Sequence, residues 1–246
     1  PRPNGGLYTS FVLDNSNHPH IAYFDEDKDN LKYAWWNDSY FEVEVVDEIY
    51  EHPSLGITPS IDLDSLGQAH ISYYDYTYGD LKYAERRPTG WVHTRVDRTG
   101  DVGLFTSLVI DPFDIPHISY FDDDNDNLKY AYWDAATDSW HISVVDSPDV
   151  VGMYSSMMLD SQNNPHIGYY DWANGNLKYA HWDTYRWIVE VVDTTGDVGQ
   201  YVSIVLDNLG EPRFLYYDAT MGVLRYAARN KWSLHTVAFP TGLVSP

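Results

Sequence analysis

The sequence predicts an all-β chain folded as a five-bladed β-propeller with four antiparallel strands per blade. Three observations carry that expectation. One phrase is written five times: "PHIAYFDEDKDNLKYAWW" from Pro19, "AHISYYDYTYGDLKYAER" from Ala69, "PHISYFDDDNDNLKYAYW" from Pro116, "PHIGYYDWANGNLKYAHW" from Pro165 and "PRFLYYDATMGVLRYAAR" from Pro212. A glycine opens each copy, at Gly6, Gly56, Gly103, Gly152 and Gly199, and spacings of 50, 47, 49 and 47 residues fill the 246-residue chain. The acids are skewed, 29 Asp against 8 Glu, towards the residue that forms turns and away from the one that forms helices.

A period of this length points to a repeat architecture. The third copy shows its four strand-like runs plainly: "LFTSLVID" (104–111), "PHISYFD" (116–122), "NLKYAYW" (127–133) and "WHISVVD" (140–146). Each is dense in β-branched and aromatic residues, and "DPFDIP" and "DDDNDN" supply turn chemistry between them. Four strands repeated radially make a propeller blade. A solenoid needs atypical end repeats, whereas here the first and last copies resemble the middle ones. The expected unit is one domain over 1–246, with blades at about 6–55, 56–102, 103–151, 152–198 and 199–246. The expected ring closes by packing the fifth blade on the first.

Composition narrows the partners. A formal net charge of −22 repels phosphate backbones and anionic membrane surfaces, which argues against nucleic acid, and no apolar run is long enough to span a membrane. The charge suits cations or neutral ligands such as sugars. With no cysteine there is no disulfide, zinc–thiolate site or thiol catalysis. The chain opens on Pro1 and not on Met, from which a secreted or cell-surface location is expected.

Five copies can be compared with one another. The first strand keeps Ser10, Ser60, Ser107, Ser156 and Ser203, each followed four residues later by Asp14, Asp64, Asp111, Asp160 or Asp207. The second keeps Tyr23, Tyr73, Tyr120, Tyr169 and Tyr216, then Asp25, Asp75, Asp122, Asp171 and Asp218. The third keeps a cation, Lys32, Lys82, Lys129, Lys178 or Arg225, taking four of the chain's six lysines. A cation so placed in so acidic a chain is expected to form a structural cluster with the repeated Asp and Ser.

The runs "DEDKDN" (25–30) and "DDDNDN" (122–127) have the D-x-D-x-D spacing of calcium ligands. Their fifth position alternates Asp29, Gly79, Asp126, Gly175 and Gly222, which is the signature of a left-handed turn residue, so hairpins without a cofactor are expected. His20, His70, His117 and His166 open the second strand in four blades, and Arg213 replaces them in the fifth. An inter-blade hydrogen bond, which Arg can also donate, explains that exchange; the alternative is a transition metal held by the four imidazoles.

Two residues after the repeat glycine stand Tyr8, Thr58, Phe105, Tyr154 and Tyr201. Propeller crossovers surround the mouth of the axial channel. Tyr8, Phe105, Tyr154 and Tyr201 there, beside Asp25, Asp75, Asp122, Asp171 and Asp218, would form a stacking platform for sugar rings with carboxylates to accept their hydroxyls. The other reading is that the aromatics pack between neighbouring crossovers.

In repeat length and number the chain resembles the tachylectin-type lectins, five-bladed propellers that bind N-acetylated sugars, although their sugar-binding motif has no counterpart here. The resemblance implies the architecture and a carbohydrate or other neutral small ligand, bound at the channel mouth or repeatedly between blades. No G-x-S-x-G elbow, H-E-x-x-H or phosphate loop is present. The leading expectation is a non-enzymatic binding module. The alternatives are a hydrolase or lyase, its site marked by symmetry breaks at His52, Arg213 or Glu85–Arg87, and a structural domain of a larger extracellular assembly.

Overall fold

Five four-stranded antiparallel sheets, each with its strands in sequence order, make up the computed structural model, which describes residues 5–48, 58–229 and 232–237. Sheet one holds β1 (Gly5–Leu13), β2 (Pro19–Asp25), β3 (Asn30–Trp36) and β4 (Phe41–Glu48). Sheet two holds β5 (Ser60–Leu63), β6 (Ala69–Asp75), β7 (Asp80–Arg87) and β8 (Gly90–Asp97). Sheet three holds β9 (Val102–Ile110), β10 (Pro116–Asp122), β11 (Asn127–Asp134) and β12 (Ser139–Asp146). Sheet four holds β13 (Val151–Leu159), β14 (Pro165–Asp171), β15 (Asn176–Trp182) and β16 (Trp187–Asp193), and sheet five β17 (Val198–Leu206), β18 (Pro212–Asp218), β19 (Val223–Ala228) and β20 (Ser233–Thr236). The chain is a five-bladed β-propeller, as its repeats predict. Gly56 and His52 lie outside the described residues.

The turns follow from local chemistry. Between the first two strands, Asp14, Asp64, Asp111, Asp160 and Asp207 each accept hydrogen bonds from the backbone N–H groups two and four residues on. Between the second and third, Asp29, Gly79, Asp126, Gly175 and Gly222 all have φ between 52° and 68°, the left-handed turn expected of an Asp–Gly alternation.

The core lies between sheets rather than within them. Four apolar clusters fill the four junctions; one joins Leu128 and Tyr130 of sheet three to Val151, Met157, Ile167 and Tyr169 of sheet four. Burying each such large side chain contributes roughly 1.5–3 kcal/mol. First strands are tied by the repeated serine, whose Oγ accepts from a backbone N–H of the next blade: Ile61 to Ser10 at 3.2 Å, Leu108 to Ser60 at 2.9 Å, Met157 to Ser107 at 3.1 Å and Ile204 to Ser156 at 3.3 Å. The serine therefore stands apart from the lysine cluster in which the sequence places it. The repeat glycine permits close approach. A Cβ on Gly103, Gly152 or Gly199 would lie 2.8 Å from the Cα of Leu81, Leu128 or Leu177 in the preceding blade.

The junction between sheets five and one differs. Strand contacts join each sheet to the next from one to five, and no comparable contact joins sheet five to sheet one among the described residues. Among the described residues, no strand packing of this kind closes the ring expected from the repeats. At that seam Gly6 has nothing within 4 Å of where its Cβ would be.

Candidate functional site

The sequence-predicted residues fall mostly into structural roles. Tyr8, Phe105, Tyr154 and Tyr201 occupy bulges in their first strands with φ of 50–54°, a conformation unusual for bulky residues. The bulge turns three of the rings onto one another: Phe105 and Tyr154 have centroids 4.6 Å apart, Tyr154 and Tyr201 4.5 Å. Phe105 is buried, and Tyr8 packs on the core between sheets one and two. The rings form a packed chain between blades, and Tyr201 at its end is exposed.

Asp25, Asp75, Asp122, Asp171 and Asp218 are buried and bound to the repeated cation, so they are not free acceptors at a channel mouth. Lys129 Nζ lies 2.7 Å from Asp122 and 3.0 Å from Asp97 of the preceding blade. Lys82 sits likewise between Asp75 and Asp47, Lys178 between Asp171 and Asp146, and Arg225 between Asp218 and Asp193. Tyr73, Tyr120, Tyr169 and Tyr216 donate to the same preceding-blade carboxylates at 2.6–2.8 Å. Among the described residues Lys32 reaches only Asp25, in its own blade.

The histidines bond within their blades, which corrects the inter-blade expectation. His20, His117 and His166 place Nδ1 2.5 Å from Tyr33, Tyr130 and Tyr179 of the adjoining strand, and His70 meets Tyr83 in the same way. Nε2 faces the turn aspartate at 3.5–3.7 Å. In blade five Arg213 takes the histidine's place and donates to the turn aspartate, Asp207, at 2.5 Å. Among the described residues no group of three or more His, Asp or Glu side chains is placed to hold a metal.

Burial outweighs the pull of the turn aspartate and holds His20, His117 and His166 below the ordinary histidine value. The unfolded chain thus binds protons below about pH 6.5 that the folded chain refuses. Stability is full above that pH and falls as pH drops through it. The urea midpoint is expected to be lower at pH 5.5 than at 7.5; an unchanged or higher midpoint at pH 5.5 contradicts this assignment.

One position breaks the repeat in a way that opens a site. At the ends of the third strands stand Trp36, Arg86, Trp133, Trp182 and Arg229; on the fourth strands, paired with the repeated tyrosine, stand Glu44, Thr94, Ser143, Glu190 and His235. Where Arg follows Glu across a junction the space between blades is plugged: Arg86 grips Glu44 at 2.9 and 3.0 Å, and Arg229 reaches Glu190 at 2.5 Å. The other two residues of the "ERR" break, Glu85 and Arg87, pair with each other at 2.8 Å. Two junctions lack the pair: Thr94 and Trp133 stand between blades two and three, and Ser143 and Trp182 between blades three and four, where a cleft of about 490 Å³ remains.

The cleft is built from two hairpins and a turn. Tyr130, Tyr132, His141 and Ser143 come from β11 and β12, Trp182 and Trp187 from the β15–β16 hairpin, and Asn163 and Asn164 from the β13–β14 turn. Edge contacts fix the rings: Tyr130 on Trp187 at 5.3 Å, and Trp182 on Trp187 at 5.6 Å. Tyr132 lies between His117 at 6.0 Å and His141 at 5.1 Å. His117 Nε2, on the lining, is buried without a hydrogen-bond partner. Apolar ring faces with a few polar groups are the usual make-up of a small-ligand site. Among the described residues no carboxylate lines the cleft. The Arg/Trp and Glu/Ser alternation was readable from the repeats, but its meaning depends on which blades adjoin.

No protein-family model and no curated protein matches the chain. Among solved structures it superposes on SapL1, a lectin in complex with alpha methyl fucoside (TM-score 0.62, 12% identity, covering 96% of this chain and 82% of that one). It also superposes on AofleA from Arthrobotrys oligospora (0.62, 11%, 96% and 72%). A third is a PL25 ulvan lyase (0.64, 11%, 95% and 70%). At these identities the likeness is one of fold.

Proposed function

We propose that this protein is a non-enzymatic, carbohydrate-binding propeller whose principal site is the cleft between blades three and four. The observation that carries the reading is the replacement of the plugging Arg–Glu pair by Trp182 and Ser143, which leaves aromatic faces open beside Asn and His groups. Aromatic rings stack on the apolar faces of a sugar, and the polar groups take its hydroxyls. Most glycosidases use two carboxyl groups flanking the bond to be cleaved, and among the described residues none lines the cleft. The net charge of −22 favours a neutral sugar over a polyanionic one. The SapL1 lectin among the similar folds supports the same class, and an extracellular or cell-surface location accords with it.

A glycan array of the intact protein tests the reading. Binding to a neutral saccharide is expected, and Trp182→Ala should weaken it by about 30-fold, the effect of removing an anchoring aromatic worth about 2 kcal/mol. Cleavage of the bound glycan, or binding unchanged in Trp182→Ala, would overturn it.

A further inference from the structure

We infer that the open seam between sheets five and one is a docking site for one further four-stranded sheet of this same repeat. Both faces of the seam carry the devices that join the other blades, unused. On sheet five, Ser203 is exposed although its four counterparts each accept a backbone hydrogen bond from the next blade. Tyr201, which ends the ring chain, is 62% exposed, and Tyr226 is half-buried where its four equivalents are buried. On sheet one, Phe11 is 70% exposed, while Ile61, Leu108, Met157 and Ile204 at its position are buried. Gly6 is held left-handed against nothing.

Direct contact of the two faces, within one chain or between two copies, fits poorly on two counts. The first is charge. Lys82, Lys129, Lys178 and Arg225 each take an aspartate from the preceding blade's fourth strand, from Asp47, Asp97, Asp146 and Asp193. The fifth copy has Ala238 at that place in the sequence, so it offers Tyr23 and Lys32 no carboxylate. The second is shape. Leu215, 42% exposed, stands where the other blades have Ala22, Ser72, Ser119 and Gly168, and this position faces the next blade: Ser72 bonds Thr106 and Ser119 bonds Ser155. Direct docking would set Leu215 against Thr9, the equivalent of Thr106 and Ser155. The fitting occupant is a sheet with an apolar or small residue opposite Leu215 and an aspartate at the end of its fourth strand.

The test extends the whole chain by a copy of residues 98–151, appended after Pro246 and carrying Thr106→Ala in the copy. The expected product is a monomer with a thermal midpoint raised by at least about 5 °C, and Asp146→Ala in the copy should remove most of that rise. No rise, or a rise indifferent to that aspartate, overturns the proposal. In the unextended chain, which has no cysteine, Phe11→Cys and Ser203→Cys are introduced together and oxidised. A disulfide within one chain would show direct closure, and one between chains would show a second copy as the occupant. Either overturns the proposal, and neither is expected.

Discussion

Lys129→Ala is expected to lower the unfolding free energy by about 3–5 kcal/mol, because it leaves two buried carboxylates facing each other without their cation. Asp122 is fully buried, Asp97 nearly so, and Lys129 Nζ lies 2.7 and 3.0 Å from them. Burial works against the lysine's charge, but hydrogen bonds to Asp122 and Asp97 outweigh it and hold its pKa above the ordinary lysine value. The same cation holds Asp97 below the ordinary carboxylate range in spite of its burial. Lys32→Ala is the internal control. Among the described residues that lysine meets a single aspartate, so its loss should be less than half as large. Denaturant unfolding of both variants checks the comparison; equal losses would contradict the two-carboxylate account.

Gly152→Ala should be comparably severe, at about 3 kcal/mol or more. The residue has φ of 112°, which alanine adopts only under strain, and its new Cβ would stand 2.8 Å from the Leu128 Cα. Backbone cannot yield as a side-chain tip can, so blade four must shift away from blade three. Gly6→Ala has a similar φ of 94° but open space, and should show only the backbone strain, about 1 kcal/mol. The difference between the two variants, read from thermal or urea unfolding, isolates the close approach of blades. A Gly6→Ala loss as large as that of Gly152→Ala would mean the first blade is already packed against a neighbour.

The blades were legible because each is specified locally. Strand runs, the Asp that closes the first turn and the Asp–Gly alternation in the second all lie within a few residues of what they act on. The cation cluster was half legible: the repeated Lys and Asp declare a pair, but the second aspartate comes from the preceding blade, 35 residues before Lys82 and 32 before Lys129. The histidine showed the reverse error. Its partner is in the adjoining strand of its own blade, 13 residues away, because an antiparallel pair sets His117 beside Tyr132 and within reach of Tyr130. The aromatics after the repeat glycine were read as a platform, and only the left-handed bulge reveals that they turn onto each other. The cleft required knowing that Ser143 faces Trp182 across a junction, a pairing no local pattern encodes.

The central claim is a single carbohydrate site formed where the repeat is broken, not five sites where it is kept. Calorimetric titration of the intact protein with the strongest neutral glycan found on the array tests it most directly. The account predicts one bound saccharide per chain and no measurable heat of binding in a Trp182→Ala, Trp187→Ala double variant. A stoichiometry of four or five, or binding that survives in that variant, would place the ligand on the repeated surfaces and contradict it.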